Sequence, residues 1–183
     1  PWHVDFIRQF NQNVALIYNG YDPAQFYAKD MPTNIFRISY IGRLYEFQST
    51  ALIEQAVHEL NLPNLELNIH THEYQPIPLD KVGDELRHSS IVLVLTNPNT
   101  KGMMTTKFYE AFGCEKPVLC TPSDNGLLAQ TIRQTNAGLA SSDINEIKEF
   151  IIEKYREWQQ NGYTRQAVIN KEQFSRQKQA QQF

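Results

Sequence analysis

The sequence predicts an α/β protein built on a doubly wound parallel sheet, in three layers of helix, sheet and helix. Three observations predict it. Short β-branched and aromatic segments alternate with amphipathic stretches of about ten residues, the pattern of successive βαβ units. Ile91 to Leu95 reads Ile-Val-Leu-Val-Leu, a continuous apolar run as expected of a strand covered on both faces. The composition is that of a globular chain, 183 residues with 41% hydrophobic and 20% charged side chains.

The elements follow in order. Val14 to Tyr18 is a short strand candidate that stops at the turn signal Asn19-Gly20. Ile35 to Ile41 is β-branched and aromatic and ends at Gly42, which marks a strand. Ser49 is a candidate N-cap for a helix over Thr50 to Leu60, where Leu52, Ile53, Ala56, Val57 and Leu60 share helical spacing. Leu65 to Ile69 alternates as a strand, and Tyr74 to Pro78, with Pro76 and Pro78, suits an edge or irregular strand. Leu79 to His88 reads as a helix, Ile91 to Leu95 as the buried strand and Thr105 to Phe112 as a helix ended by Gly113. Pro117 to Cys120 and Ala137 to Ala140 are short strands separated by a helix over Asn125 to Thr135. A long amphipathic helix spans Ile144 to Gln160, and a Gln-rich, basic helical stretch spans about Thr164 to Ala180.

Charge and cysteine content narrow the functions. Seventeen basic and twenty acidic side chains leave a net charge of −3, a poor surface for nucleic acid or an anionic membrane. No apolar run approaches the roughly 20 residues that span a bilayer, and no signal peptide is visible. Cys114 and Cys120 read as small core hydrophobes of a reducing, cytoplasmic compartment rather than as a staple. His70, His72 and Glu73 offer metal-ligand chemistry on one strand end, but no second pair stands nearby, so no metal is expected. The aromatic residues Trp2, Phe6, Phe10, Tyr18, Tyr21, Phe26 and Tyr27 read as core and interdomain packing.

In a doubly wound sheet, ligands sit at the carboxyl ends of the strands. The loops of interest therefore follow Ile41, Ile69, Leu95 and Cys120. Gly42-Arg43-Leu44 combines a residue that admits close backbone approach with a planar cation suited to phosphate. Asn97 to Glu110 runs a Gly-containing loop into a helix whose first turn carries Thr105, Thr106 and Lys107, with Glu110 one turn on. Free N–H groups and the positive dipole end make such a helix start an anion site, although a capped helix with an internal ion pair fits the same residues.

The chain as a whole resembles the carboxyl-terminal, Rossmann-like half of a B-fold glycosyltransferase of the large group 1 (family 4) type. Four blocks carry the resemblance in the family's order: Asn19-Gly20-Tyr21-Asp22, Ile38 to Leu44, Lys107 to Leu119, and Asn136-Ala137-Gly138. The resemblance covers about residues 14 to 182. It implies a retaining, hexosyltransferase-type enzyme that binds a nucleoside diphosphate sugar, with no cofactor. Its partners would be a glycan or lipid-linked acceptor and an amino-terminal domain outside these residues. The chain opens on Pro1 and is expected to be a piece of a longer protein, inactive alone and weakly nucleotide-binding. That amino-terminal domain would also carry any peripheral attachment to the membrane, in an enzyme of bacterial polysaccharide biosynthesis. Residues 1–34 would be an interdomain linker leading into the fold, 35–162 the nucleotide-sugar domain, and 163–183 a helix crossing back to the amino-terminal domain.

The resemblance also implies roles. Glu110 matches the carboxylate that accepts from both ribose hydroxyls, a task suited to an ionised acid. Arg43 and Lys107 would act in catalysis by neutralising the leaving diphosphate, where charge develops as the glycosidic bond breaks. Gly42, Gly102, Met103, Met104, Thr105 and Thr106 would wrap the phosphates, with the nucleobase against Ile77. Two positions depart from the family pattern. Gln48 stands where many members have Lys, with Lys101 or Lys107 as replacement charge, and Gly102 stands where many have an acid. A subset of bacterial polysaccharide enzymes resembles this arrangement. These departures also keep open a non-catalytic nucleotide-binding or scaffold domain in a polysaccharide assembly complex. A sugar-nucleotide epimerase would need acids near the sugar, and a plain interaction module would bind no nucleotide.

Overall fold

The computed structural model describes residues 2–99 and 102–182, apart from the Trp2 side chain. Five parallel strands form one sheet: β1 (Phe36–Ile41), β2 (Leu65–His70), β3 (Ile91–Val94), β4 (Val118–Cys120) and β5 (Gly138–Ala140). Their order is β2-β1-β3-β4-β5. The chain therefore reverses its direction of travel between β1 and β3, which is where such sheets open a crevice beyond their carboxyl ends.

Helices cover both faces. On one side α2 (Ala51–Leu60) and α6 (Ile144–Asn161) pack against Phe36, Ile38, Tyr40, Ile91, Leu93 and Leu119. On the other, α3 (Val82–His88), α4 (Thr106–Gly113) and α5 (Leu127–Gln134) pack against Val92, Val94, Val118 and Cys120. Successive residues of β3 thus enter opposite cores, so the apolar run has no solvent-facing position to fill with a polar residue. Both cysteines are free and buried, and burial pushes the Cys114 thiol up to about 11.

Several local expectations are corrected. Residues 14–18 form no strand, and the chain there is an irregular connection. Tyr74 to Pro78 forms no strand either. Tyr74 instead closes a turn, its carbonyl accepting from the Thr71 N–H at 2.8 Å and its own N–H donating to Thr71 Oγ1 at 3.0 Å. The helical stretch from Thr164 dissolves into a connection, a 3-10 turn at Lys171–Phe174 and the short α7 (Arg176–Ala180). A first helix, α1 (Trp2–Arg8), appears where no helix was expected. Of the aromatic group, Tyr21 and Phe26 are core residues, while Phe6 and Phe10 stay exposed in an edge-to-face pair with centroids 5.5 Å apart. Ser49 lies one residue before the N-cap position Thr50, and its Oγ accepts from the Ala51 N–H at 3.2 Å.

The carboxyl terminus returns to the start of the domain. The Tyr21 N–H donates to the Phe174 carbonyl at 3.0 Å and the Arg176 N–H to the Tyr21 carbonyl at 2.9 Å. Gln179 Nε2 adds a hydrogen bond to the Asn19 carbonyl at 3.0 Å. Gly20 makes this approach feasible, since a Cβ there would fall 2.2 Å from the Phe174 carbonyl oxygen.

Candidate nucleotide site

A cleft of about 590 Å3 opens at the carboxyl ends of β1 and β2, beside the first turn of α4. Its volume lies within the roughly 300–1,000 Å3 range of small-molecule sites.

One wall is α4. Phe108, Tyr109, Ala111 and Phe112 are all fully buried in the core, which fixes the rotation of the helix. The remaining face, with Thr106, Lys107 and Glu110, is thereby turned to the cleft. Thr105 caps the helix, its Oγ1 accepting from the Lys107 N–H at 3.2 Å. Glu110 and Lys107 form no close ion pair among the described residues. Burial raises the Glu110 carboxyl above its ordinary value, opposed first by Lys107 and then by Arg176. Burial likewise lowers the Lys107 ammonium, opposed by Glu110. Two partly desolvated, opposite charges therefore face one space, the kind of environment in which functional sites are found.

The floor is the loop after β1. Gly42 takes φ +131°, a conformation that L side chains rarely adopt. The side chain of Lys107 lies across it, so that a Cβ on Gly42 would fall 2.6 Å from Lys107 Cε. The ammonium also sits 5.1 Å from the centroid of the Tyr40 ring. Arg43 is exposed at the cleft edge, its guanidinium 5.3 Å from the centroid of the Tyr45 ring. The loop itself is tied down: Tyr40 Oη donates to the Arg43 carbonyl at 2.6 Å. Gln48 Oε1 accepts from the Tyr45 N–H at 3.0 Å and Gln48 Nε2 donates to the Leu95 carbonyl at 2.6 Å. Gln48 thus shapes the loop through both ends of its amide and adds no charge to the cleft.

The far wall is the loop after β2, with His70, Thr71, His72, Pro76 and Ile77. It hangs from the sheet through the Gly42 N–H, which donates to the His70 carbonyl at 2.9 Å. His70 Nδ1 lies 3.1 Å from the Gln75 carbonyl, so that nitrogen carries the proton. Among the described residues no group of three or more His, Cys, Asp or Glu could hold a metal ion.

Of the predicted site residues, the structure brings Gly42, Arg43, Ile77, Thr106, Lys107 and Glu110 into this one cleft. Gly102, Met103, Met104 and Thr105 are not among its lining. Met103 is exposed, and Met104 turns towards α5, its Sδ 3.9 Å from Thr131 Oγ1. Thr100 and Lys101, one of the two replacement cations for Gln48, lie outside the described residues. Sequence reasoning missed Gln25, Phe26 and Arg176, which come from the two chain ends stitched together at Gly20 and Tyr21. The signal for that stitching is the Asn19-Gly20 pair, whose partner, the 3-10 turn and short helix over residues 171–180, cannot be read from sequence.

No protein-family model and no curated protein sequence matches the chain, whereas solved structures do. The C-terminal domain of a group 1 family glycosyl transferase, LpcC, from Francisella tularensis matches 79% of this chain and 95% of that domain, with TM-score 0.57 and 15% identity. Anabaena Alr3699/HepE in complex with UDP-glucose matches 92% of this chain, with TM-score 0.68 and 16% identity. The same protein in complex with UDP and glucose gives TM-score 0.69. This chain spans 55% of the length of that Anabaena protein. The chain has the α/β, Rossmann-like fold of the C-terminal domain of a group 1 glycosyl transferase.

Proposed function

We propose that this chain is the donor-binding half of a retaining glycosyltransferase and takes a UDP-sugar. The observation that carries the reading is the convergence of Glu110, Lys107, Arg43 and Gly42 on one cleft at the point where the sheet reverses direction. The UDP and UDP-glucose held by the Anabaena protein of the same fold support this donor class.

Each group has a task set by its chemistry. Glu110, ionised, accepts from the two ribose hydroxyls. The nucleobase lies against Ile77, and the diphosphate lies along Gly42 towards Lys107 and Arg43. As the bond from the anomeric carbon to the diphosphate breaks, negative charge grows on the departing phosphate oxygen. The Lys107 ammonium and the Arg43 guanidinium neutralise it. The acceptor, a glycan or lipid-linked sugar, comes from a second domain that also mediates any contact with the cytoplasmic face of a membrane. Among the described residues no helix is long and apolar enough to cross one. Residues 163–183 lead towards that domain, in an enzyme of polysaccharide biosynthesis.

The test uses the complete protein that contains this chain, with UDP-sugars and a lipid-linked acceptor. The expected result is transfer with retained anomeric configuration, reduced about 100-fold or more in kcat by Lys107→Ala, in the range for loss of one charge-stabilising donor. The neutral Gln48 favours a second reading, a nucleotide-binding scaffold. Nucleotide binding without transfer or donor hydrolysis across a sugar panel would establish that reading instead.

A further inference from the structure

We propose that Arg176 is a positioning residue for the nucleotide, presenting its guanidinium to the Glu110 side of the cleft and holding that carboxylate ready to accept from the ribose. The inference rests on the reading of Glu110 as the ribose ligand.

Three observations place Arg176 there. It lines the same cleft as Glu110 and Lys107, although it lies 66 residues beyond Glu110 in sequence. Its Nε donates to the Gly20 carbonyl at 3.0 Å and its backbone N–H to the Tyr21 carbonyl at 2.9 Å, so its main chain and the base of its guanidinium are both held. Among the described residues no ion pair within 4.0 Å joins it to any carboxylate, so no protein acid claims its charge.

Electrostatics gives this placement its consequence. Burial works against the charged form of Glu110, and a doubly accepting carboxylate must be charged. Lys107 opposes the burial, but the bound diphosphate draws on that same ammonium. Among the described residues Arg176 is the other cation that favours ionised Glu110. Across the cleft the remaining charged or titratable groups among the described residues are Arg43, His70 and His72. The anchor of Arg176 is the Gly20 carbonyl, so the segment that leads into the domain is tied mechanically to the nucleotide site.

The experiment is a calorimetric titration of UDP from pH 5 to 8 on wild type, Arg176→Gln, Arg176→Lys, Glu110→Gln and the double variant Arg176→Gln/Glu110→Gln. Arg176→Gln should bind more weakly with a loss that widens as pH falls, reaching about tenfold, the size expected for neighbours that share a partner. Arg176→Lys, which keeps the charge, should restore the wild-type pH profile. In the Glu110→Gln background, Arg176→Gln should remove no further affinity. A pH-independent loss, or an equal loss in both backgrounds, would overturn the inference and leave Arg176 a purely structural strap. Should Arg176→Gln fail to fold, an Arg176→Lys profile displaced from wild type would overturn it equally. Undiminished UDP binding by Glu110→Gln would overturn the underlying reading of Glu110, a result distinct from failure at Arg176 alone.

Discussion

Replacing Gly42 by Ala tests the geometry of the site at one atom. The new Cβ would stand 2.6 Å from Lys107 Cε and 2.8 Å from Nζ, and the backbone would have to keep φ +131°. The backbone conformation costs a non-glycine residue about 1–3 kcal/mol. Lys107 can yield, because the clash is with the far end of a flexible chain, but it yields by leaving its place across the loop. At about 2 kcal/mol, and roughly 2–4 °C per kcal/mol for a chain of this size, Tm should fall by roughly 4–8 °C. Nucleotide affinity should fall by about tenfold or more, since a hydrogen bond to a charged group contributes about 1.5–3 kcal/mol. Calorimetry of wild type, Gly42→Ala, Lys107→Ala and the double variant separates the two effects. In the Lys107→Ala background the affinity loss should vanish while the backbone cost persists. Equal affinity losses in both backgrounds would refute the reasoning that Gly42 acts by making room for Lys107.

Other consequences follow from the same contacts. Gly20→Ala places a Cβ 2.2 Å from a backbone oxygen, so the strap must detach. It should cost about 1–3 kcal/mol and speed amide exchange at Tyr21 and Arg176, and unchanged exchange would contradict the stitching. Gln48→Lys adds a cation to the loop but removes the amide that joins Tyr45 to Leu95. It should lower stability by about 1–3 kcal/mol, and a gain in Tm would show that the bridge is dispensable. Glu110 has a folded-state value raised by burial above its ordinary 4.5. Its charge therefore costs stability above the folded value, and the cost fades as pH falls through that value towards 4.5. Glu110→Gln should make the unliganded protein more stable at pH 7 while weakening nucleotide binding. Denaturant titrations at pH 7 and pH 4 check this, and a less stable variant at pH 7 would contradict the buried charge.

The parts of the fold legible in the sequence were those in which each residue obeys the same rule as its neighbours. Ile91 to Leu95 could be read because every position is buried, and Ile144 to Gln160 because its apolar residues repeat every third or fourth place. Val14 to Tyr18 misled because apolar content without a sheet partner does not make a strand. Pro76 and Pro78 signalled irregularity correctly, but the turn that forms depends on Thr71, outside that window. In the site, Gly42, Arg43, Lys107 and Glu110 stood in recognisable blocks. Met104, expected to wrap the phosphates, stays out of the cleft, because packing beside Thr131 and the core takes a flexible apolar side chain away from an aqueous cleft. Arg176 was invisible because a Gln-rich, basic segment has the same local pattern whether it is solvated or folded back onto Gly20.

The central claim is that Glu110 holds the ribose of a nucleoside diphosphate. The most direct measurement is the thermal shift of wild type and Glu110→Ala with UDP, GDP, CDP, ADP and dTDP. A ligand at 100 times its Kd stabilises by about 2.7 kcal/mol, which at roughly 2–4 °C per kcal/mol is a readily measured rise in Tm. The account predicts that UDP raises the Tm of wild type and leaves Glu110→Ala unmoved. Equal shifts in both proteins, or none in wild type with any of the five, would contradict it.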